Sequence, residues 1–309
     1  MWLPNSTRPS VSGTPSIRGT TALVGVLGDP VHHSLSPVMQ NAALQAMGLD
    51  WVFLALPAPP TELATVVRGL EAMGCRGLNV TIPHKQAVAA LCGELSPLAE
   101  RLGAVNTLVP LAGGGWHGTN TDVEGFCAPL RRSGADWSGK RAVVLGCGGS
   151  ARAVVAGLVE LGIHSIQLAG RRPDALAAFL ADCQSWAPQL QALSWASESS
   201  TLATALAEAD LVVNTTPVGM ASASNPAAAE ACPLNDTEVS ALPSGATVYD
   251  IIYTPRPTQL LQRAARRGCR SLDGLEMLVE QGAAALRHWS GRPEVPVEVM
   301  RQALLEHLP

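Results

Sequence analysis

The sequence predicts an α/β protein of two α/β domains separated by a cleft. Three observations lead there. Strand-like and helix-like segments alternate in two successive series. A glycine-rich turn between a strand and a helix opens the second series. A chain of 309 residues is also long for one core and suits two.

In the first series, Ala22–Leu27 reads as a strand and Ser36–Met47 as a helix, with Ser36 as N-cap, Pro37 in the first turn and Gly48 as the stop. Trp51–Leu56 is the next strand, Thr61–Met73 a helix and Gly77–Ile82 a third strand. Val105–Val109 is a further strand ending at the Gly113–Gly115 turn, and a helix spans about Val123–Arg132. Later strands are Leu211–Asn214 and Thr247–Ile252, Leu275–Trp289 is helical, and Ala221–Glu230 reads as a loose surface loop. Residues 1–20, rich in Ser, Thr and Pro, read as a flexible tail.

The second series starts with the apolar strand Arg141–Leu145, followed at once by Gly146-Cys-Gly-Gly-Ser-Ala151 and a helix from Arg152 to Leu161 that Gly162 ends. This is the dinucleotide fingerprint of a Rossmann domain. Gly146 permits the tight turn, Gly148 lets backbone approach a pyrophosphate, and small Ala151 lets helix pack on strand. Gly149 and Ser150 bring the positive helix N-terminus to the anion. The second strand, Ser165–Ala169, ends in Gly170-Arg-Arg-Pro-Asp174. An NAD site places a carboxylate at that tip. Here Arg171 and Arg172 stand there instead, and a guanidinium fork matches a 2′-phosphate, so the cofactor reads as NADP.

Only Lys85 and Lys140 break an otherwise all-arginine set of 21 cations. Lysine, unlike arginine, can release a proton near neutrality. Lys85 ends the run Gly77-Leu-Asn-Val-Thr-Ile-Pro-His-Lys85, where Pro83 stops a buried strand just before it. Partial desolvation there favours the neutral amine and suits general acid/base work, while the plain alternative is a lysine with its tip in water. Ser34, Ser36, Asn79, Thr81, Asn106 and Asp122 also fall at strand ends that face the cleft. Such a neutral hydrogen-bonding set with one cation and one anion suits a small polyhydroxylated substrate. Each has a bland reading too: Ser36 as a helix N-cap, Asn106 satisfying a strand end, Asp122 capping the following helix.

Nearly half the residues are hydrophobic and the net charge is −4, which argues against a nucleic-acid partner. No apolar run approaches the ~20 residues of a membrane span. The seven cysteines are scattered, with no C-x-x-C, which fits a reducing compartment such as the cytoplasm and no metal site. Oligomeric state is not read from the sequence, and a homodimer is left open.

From about Thr21 to Leu305 the chain resembles the shikimate dehydrogenases, NADP-linked enzymes that reduce 3-dehydroshikimate. Eight motifs in family order carry the resemblance. They are Ser34-Leu-Ser-Pro37, Asn79-Val-Thr-Ile-Pro-His-Lys85, Gly103-Ala-Val-Asn-Thr107, Gly118-Thr-Asn-Thr-Asp122, Gly146-Cys-Gly-Gly-Ser-Ala-Arg152, Asn214-Thr-Thr216, Tyr249-Asp-Ile-Ile-Tyr253 and Asp273-Gly-Leu-Glu-Met-Leu-Val-Glu-Gln281. The resemblance implies a substrate domain of residues 21–125 plus 275–309, with an NADP domain of residues 126–274 inserted. It implies Lys85 and Asp122 as the catalytic pair, with Ser34, Ser36 and Tyr253 on the substrate carboxylate. Asn79, Thr81, Asn106 and Gln281 would hold ring hydroxyls and carboxylate; Arg171, Thr216, Ile251 and Gly274 would line the cofactor.

Gly170 stands where the family often has Asn, Ile251 replaces a frequent Met, and Pro97 occupies a position where some relatives carry an acid. Three other readings compete. A quinate or quinate/shikimate dehydrogenase using NAD lacks its acid at the strand tip. A folate-type methylene dehydrogenase leaves the two serines unexplained. A non-catalytic dinucleotide-sensing protein has no need of both Lys85 and Asp122.

Overall fold

The computed structural model of the chain describes residues 17–195, 200–221 and 225–308. Residues 1–16 of the expected tail and 222–224 of the expected loop lie outside them.

The first half builds a mixed sheet. Its elements are β1 (Ala22–Gly28), α1 (Ser36–Ala46), β2 (Trp51–Pro57), α2 (Leu63–Ala72), β3 (Gly77–Val80), β4 (Glu94–Leu95), α3 (Pro97–Leu102), β5 (Thr107–Pro110) and β6 (Trp116–Thr119). Strand order is β2-β1-β3-β5-β6-β4. β1 pairs in parallel with β2 and β3, whereas β5 runs antiparallel to β3 and β6. Because α1 and α2 return the chain over opposite faces, β1 is apolar on both, with Val24, Val26 and Leu27 buried.

Helix α4 (Asp122–Arg132) leads out of this sheet. The second sheet alternates β7 (Arg141–Leu145), α5 (Gly149–Glu160), β8 (Ser165–Gly170), α6 (Pro173–Cys183), β9 (Leu190–Ser194), α7 (Thr201–Ala207), β10 (Leu211–Asn214), α8 (Asp236–Ala241), β11 (Thr247–Asp250), α9 (Gln259–Arg266) and β12 (Arg270–Leu272). It is parallel throughout, in the order β9-β8-β7-β10-β11-β12. Counted from β7, that is the doubly wound 3-2-1-4-5-6 arrangement, whose strand order reverses between β7 and β10. Ligands bind at such a reversal, outside the carboxyl ends of the strands.

The chain then returns. Helix α10 (Leu275–Ser290) packs along α4, and α11 (Val297–His307) packs on α1. Trp289 at the end of α10 is held against the first sheet, its indole N–H donating to Leu108 O at 3.0 Å. Its ring occupies the space a side chain at Gly77 would need, so glycine is required there by close approach. Burying an aromatic ring of this size contributes about 2–3 kcal/mol, which ties α10 to the first sheet.

Several expected boundaries shift. β3 stops at Val80, so Thr81–Pro83 form a turn and Ile82 is exposed. The expected Thr61 helix begins as a 3-10 turn, and the strand expected from Val105 starts at Thr107. Part of the expected surface loop, Pro226–Glu230, is also a 3-10 turn. Ser36 is not an N-cap: Leu35 holds that position, and Ser36 is the first helical residue. Asp122 is likewise the first residue of α4, behind Thr121, and not its cap.

Candidate active site

Lys85 lies in the turn after β3, held from both sides. Val105 N–H donates to Lys85 O at 2.7 Å, and the buried His84 ring nitrogen Nε2 lies 2.6 Å from Ala58 O. With its backbone fixed, the lysine turns inward, its side chain only 12% exposed, and donates from Nζ to Asp122 Oδ2 at 2.6 Å. The plain reading, an ammonium in water, does not hold.

Asp122 is itself held. Asn106 Nδ2 donates to its other oxygen, Oδ1, at 2.8 Å, and its backbone N–H donates to Asn120 Oδ1 at 3.0 Å. Asn106 Oδ1 in turn accepts from Thr121 N–H and the Thr107 hydroxyl. Asn79 closes the row, donating to Asn106 O and Thr107 Oγ1, each at 3.3 Å. Its carbonyl Oδ1 is buried with no hydrogen-bond partner among the described residues. A buried acceptor left without a donor is destabilising unless a ligand supplies one. Here it stands beside the Lys85–Asp122 pair.

The loop from β1 into α1 brings Ser34 and Ser36 to one turn, where Ser36 N–H donates to Ser34 Oγ at 3.3 Å. Freed from capping, the Ser36 hydroxyl makes no hydrogen bond among the described residues, and neither does that of Thr81. Tyr253, in the loop after β11, comes from the second half of the chain and meets this turn at Leu35. Burial pushes its phenol up, and the hydrogen bond with the Leu35 backbone pulls the other way. Gln281 is buried on α10 against α4, and its amide donates to Leu278 O of its own helix at 2.7 Å.

On the opposite wall stands the glycine turn. Gly146 has φ 101°, and a side chain there would meet Thr215 Oγ1 and Thr216 Cγ2 at 2.9 Å each. Gly148 faces open space, and a Cβ at Gly149 would lie only 3.8 Å from Lys85 Cβ. Nucleotide turn and lysine turn therefore adjoin. They line one cavity of ≈ 670 Å³ with Ser150, Arg171, Arg172, Trp195 and Thr216, and no carboxylate among the described residues contributes to its wall. Fully buried Ala151 packs α5 on the sheet. Thr216 hands its hydroxyl to Asn214 Oδ1 at 2.7 Å. Ile251 and Gly274 lie outside that wall and against each other, with Gly274 N–H donating to Ile252 O at 3.0 Å.

Comparison with known proteins decides what this arrangement belongs to. Residues 26–108 match the family model described as the shikimate dehydrogenase substrate binding domain, and residues 274–305 match the shikimate 5'-dehydrogenase C-terminal domain. A curated shikimate dehydrogenase (NADP(+)) from Synechocystis sp. is 52% identical over 299 residues, covering 95% of this chain and 98% of its own. The chain belongs to the shikimate dehydrogenase family.

Among solved structures, the Thermus thermophilus shikimate 5-dehydrogenase in complex with NADP(H) and shikimate is 34% identical. Its TM-score is 0.79, with 93% of this chain and 100% of that one covered. A Corynebacterium glutamicum quinate dehydrogenase in complex with NAD is 31% identical, with TM-score 0.81 and coverage of 93% and 99%. Within this shikimate dehydrogenase fold, Thr107, Asn120, Thr121 and Trp195 join the site although sequence reasoning did not single them out. For Asn120 a signal existed, since an Asn two residues ahead of a helix's first residue commonly accepts from its backbone. Pro97 is the first residue of α3, behind Ser96 as cap, which explains a proline there.

Proposed function

We propose that the protein catalyses the reversible NADP-dependent reduction of 3-dehydroshikimate to shikimate, in the pathway to chorismate and the aromatic amino acids. The observation that carries this reading is one cavity with Lys85, paired behind the wall to Asp122, on one side and an arginine-tipped dinucleotide turn on the other. The residues present fit the cofactor. Open space at Gly148 and the N-terminus of α5 suit a pyrophosphate, and Arg171 and Arg172 suit a 2′-phosphate. Thr216 would adjoin it, with Ile251 and Gly274 beyond. When bound, NADPH supplies the hydride that reduces the C3 carbonyl.

The chain's own residues handle charge and proton. Reduction leaves negative charge on the C3 oxygen, and a cationic Lys85 stabilises it and donates the proton. Asp122 holds the ammonium in place, and Asn106 keeps Asp122 aimed. In the reverse direction the neutral amine takes the proton back. Ser34, Ser36 and Tyr253 bind the substrate carboxylate, while Asn79 Oδ1, Thr81, Asn106 and Gln281 meet hydroxyls and carboxylate. Residues 21–125 with 275–309 then form the substrate domain and 126–274 the NADP domain. Seven unpaired cysteines support a reducing compartment, the cytoplasm.

The test is a spectrophotometric assay of shikimate and quinate with NADP and NAD in all four pairings. Shikimate with NADP should be turned over best and quinate with NAD far less well. Folded protein that turns over neither shikimate nor 3-dehydroshikimate with either cofactor would refute the proposal. The likeness to a quinate dehydrogenase favours quinate with NAD as the second reading, and the same assay decides it.

A further inference from the structure

Trp195 has no role in the reading above, yet it lines the cofactor cavity. It stands one residue beyond β9. Gly170 and Ser194 are partners at the end of the β8–β9 ladder, and Trp195 N–H continues the pairing to Gly170 O at 3.2 Å. The next pair in that register is Arg171 beside Trp195. This neighbourhood is set by backbone pairing and does not depend on a rotamer. The side chains also meet, the Arg171 guanidinium carbon lying 5.9 Å from the indole ring centre. Trp195 is partly buried against the core that includes Leu193 and Leu202, so its ring has a fixed support.

An arginine side chain has many rotamers, and a free one must give them up when it grips an anion. An arginine resting on a fixed aromatic face has already lost much of that freedom, and its N–H edge remains available. The second strand's tip is where this fold meets the adenosine ribose, and among the described residues no carboxylate lines the cavity beside the guanidinium.

We propose that Trp195 is a specificity-determining residue of the cofactor site: it presents the ring face that holds Arg171 toward the 2′-phosphate of adenosine. The proposal rests on NADP being the cofactor. It assigns to the indole a preference for a 2′-phosphomonoester and no share in binding adenine itself.

Calorimetric titration of the full-length protein with 2′,5′-ADP and with 5′-AMP tests it without turnover. Trp195→Leu keeps apolar bulk against the core and removes the aromatic face, while Trp195→Phe keeps a face. Leucine should weaken 2′,5′-ADP by roughly 2–5-fold and leave 5′-AMP unchanged, the size of one partly exposed cation–π contact. Phenylalanine should restore most of the loss. Equal weakening of both ligands would make the indole an adenine or packing residue and overturn the proposal, as would no weakening at all. The 5′-AMP titration also registers any variant that has lost its fold. If the unsubstituted protein did not prefer 2′,5′-ADP over 5′-AMP, the NADP assignment itself would fall, and the proposal with it. That outcome needs no variant to detect.

Discussion

In the proposed reaction Lys85 would act on charge that exists fully only in the transition state, so its loss should fall on kcat more than on binding. Lys85→Ala is expected to lower kcat by about 10²–10⁴-fold, the usual range for a positioned proton donor, with shikimate affinity comparatively intact. Steady-state kinetics beside a direct binding titration check this, and near-normal turnover would remove the lysine from the mechanism. Asp122→Asn should also be damaging, because an amide cannot hold an ammonium electrostatically. At the strand tip, Arg171→Ala should cost ~1.5–3 kcal/mol, or roughly one to two powers of ten in NADP affinity. NAD should be little affected and kcat at saturating cofactor nearly unchanged. Equal losses for both cofactors would reopen the assignment. Lys85 was legible because lysine is so rare in this chain and follows an apolar run closed by Pro83, although β3 already ends at Val80. The pairing of Asp122 was less so: a carboxylate at a helix start has local uses, and only the fold brings it within 2.6 Å of Lys85. Trp195 was not legible at all, since its nearness to Arg171 depends on the register of β9, a strand with weak alternation.

The loops after β10 and β11 are fastened by a buried carboxylate. Asp250 ends β11 fully buried and accepts from Asn214 Nδ2 at 3.0 Å, Thr258 Oγ1 at 2.7 Å and Ile252 N–H at 3.2 Å. Burial still pushes its carboxyl up to about 6 from an ordinary 3.8, against the pull of those bonds. The folded chain therefore binds the proton more tightly than the unfolded one. The stabilisation from protonating Asp250 is fully present below pH 3.8 and is lost as pH rises through about 6. Its full size is on the order of 3 kcal/mol. Comparing wild type with Asp250→Asn cancels the other carboxylates, and the wild type should gain relative stability as pH falls from 7 to 4 in urea melts. A pH-independent difference would contradict the shifted carboxyl. At this scale the strands with continuous apolar runs, short ones such as β7 and β10 included, were readable from the sequence. β4, β6, β9 and β12 were not, because they lack such a run and owe their pairing to partners far along the chain, and α11 was not readable either.

Across the whole molecule, α4 leads the chain out of the first sheet and α10 brings it back, and the two helices lie together. Gly125 permits that approach, since a Cβ there would meet Met277 O at 2.7 Å and Gln281 N at 3.0 Å. Both are backbone atoms, so Gly125→Ala must push the helices apart, at about 1–3 kcal/mol for such overpacking. Because Asp122 begins α4, the same displacement should reach its contact with Lys85. A lower Tm together with a lower kcat/KM is expected. An unchanged Tm would mean the contact relaxes without separating the helices. That α10 packs back on the first half was expected only from the resemblance, because nothing in the periodicity of α10 says which sheet it joins.

The paired helices α4 and α10 would also limit any movement between the two sheets. A single covalent link would let the halves swivel, twist and slide against one another. Two links running side by side take away most of that freedom and leave chiefly a swing about the edge where they lie, as a door turns on paired pins. The lysine turn and the glycine turn face each other across the gap, so widening or narrowing it changes their separation along one path. Any narrowing of the gap would then return the two turns to the one mutual orientation seen here.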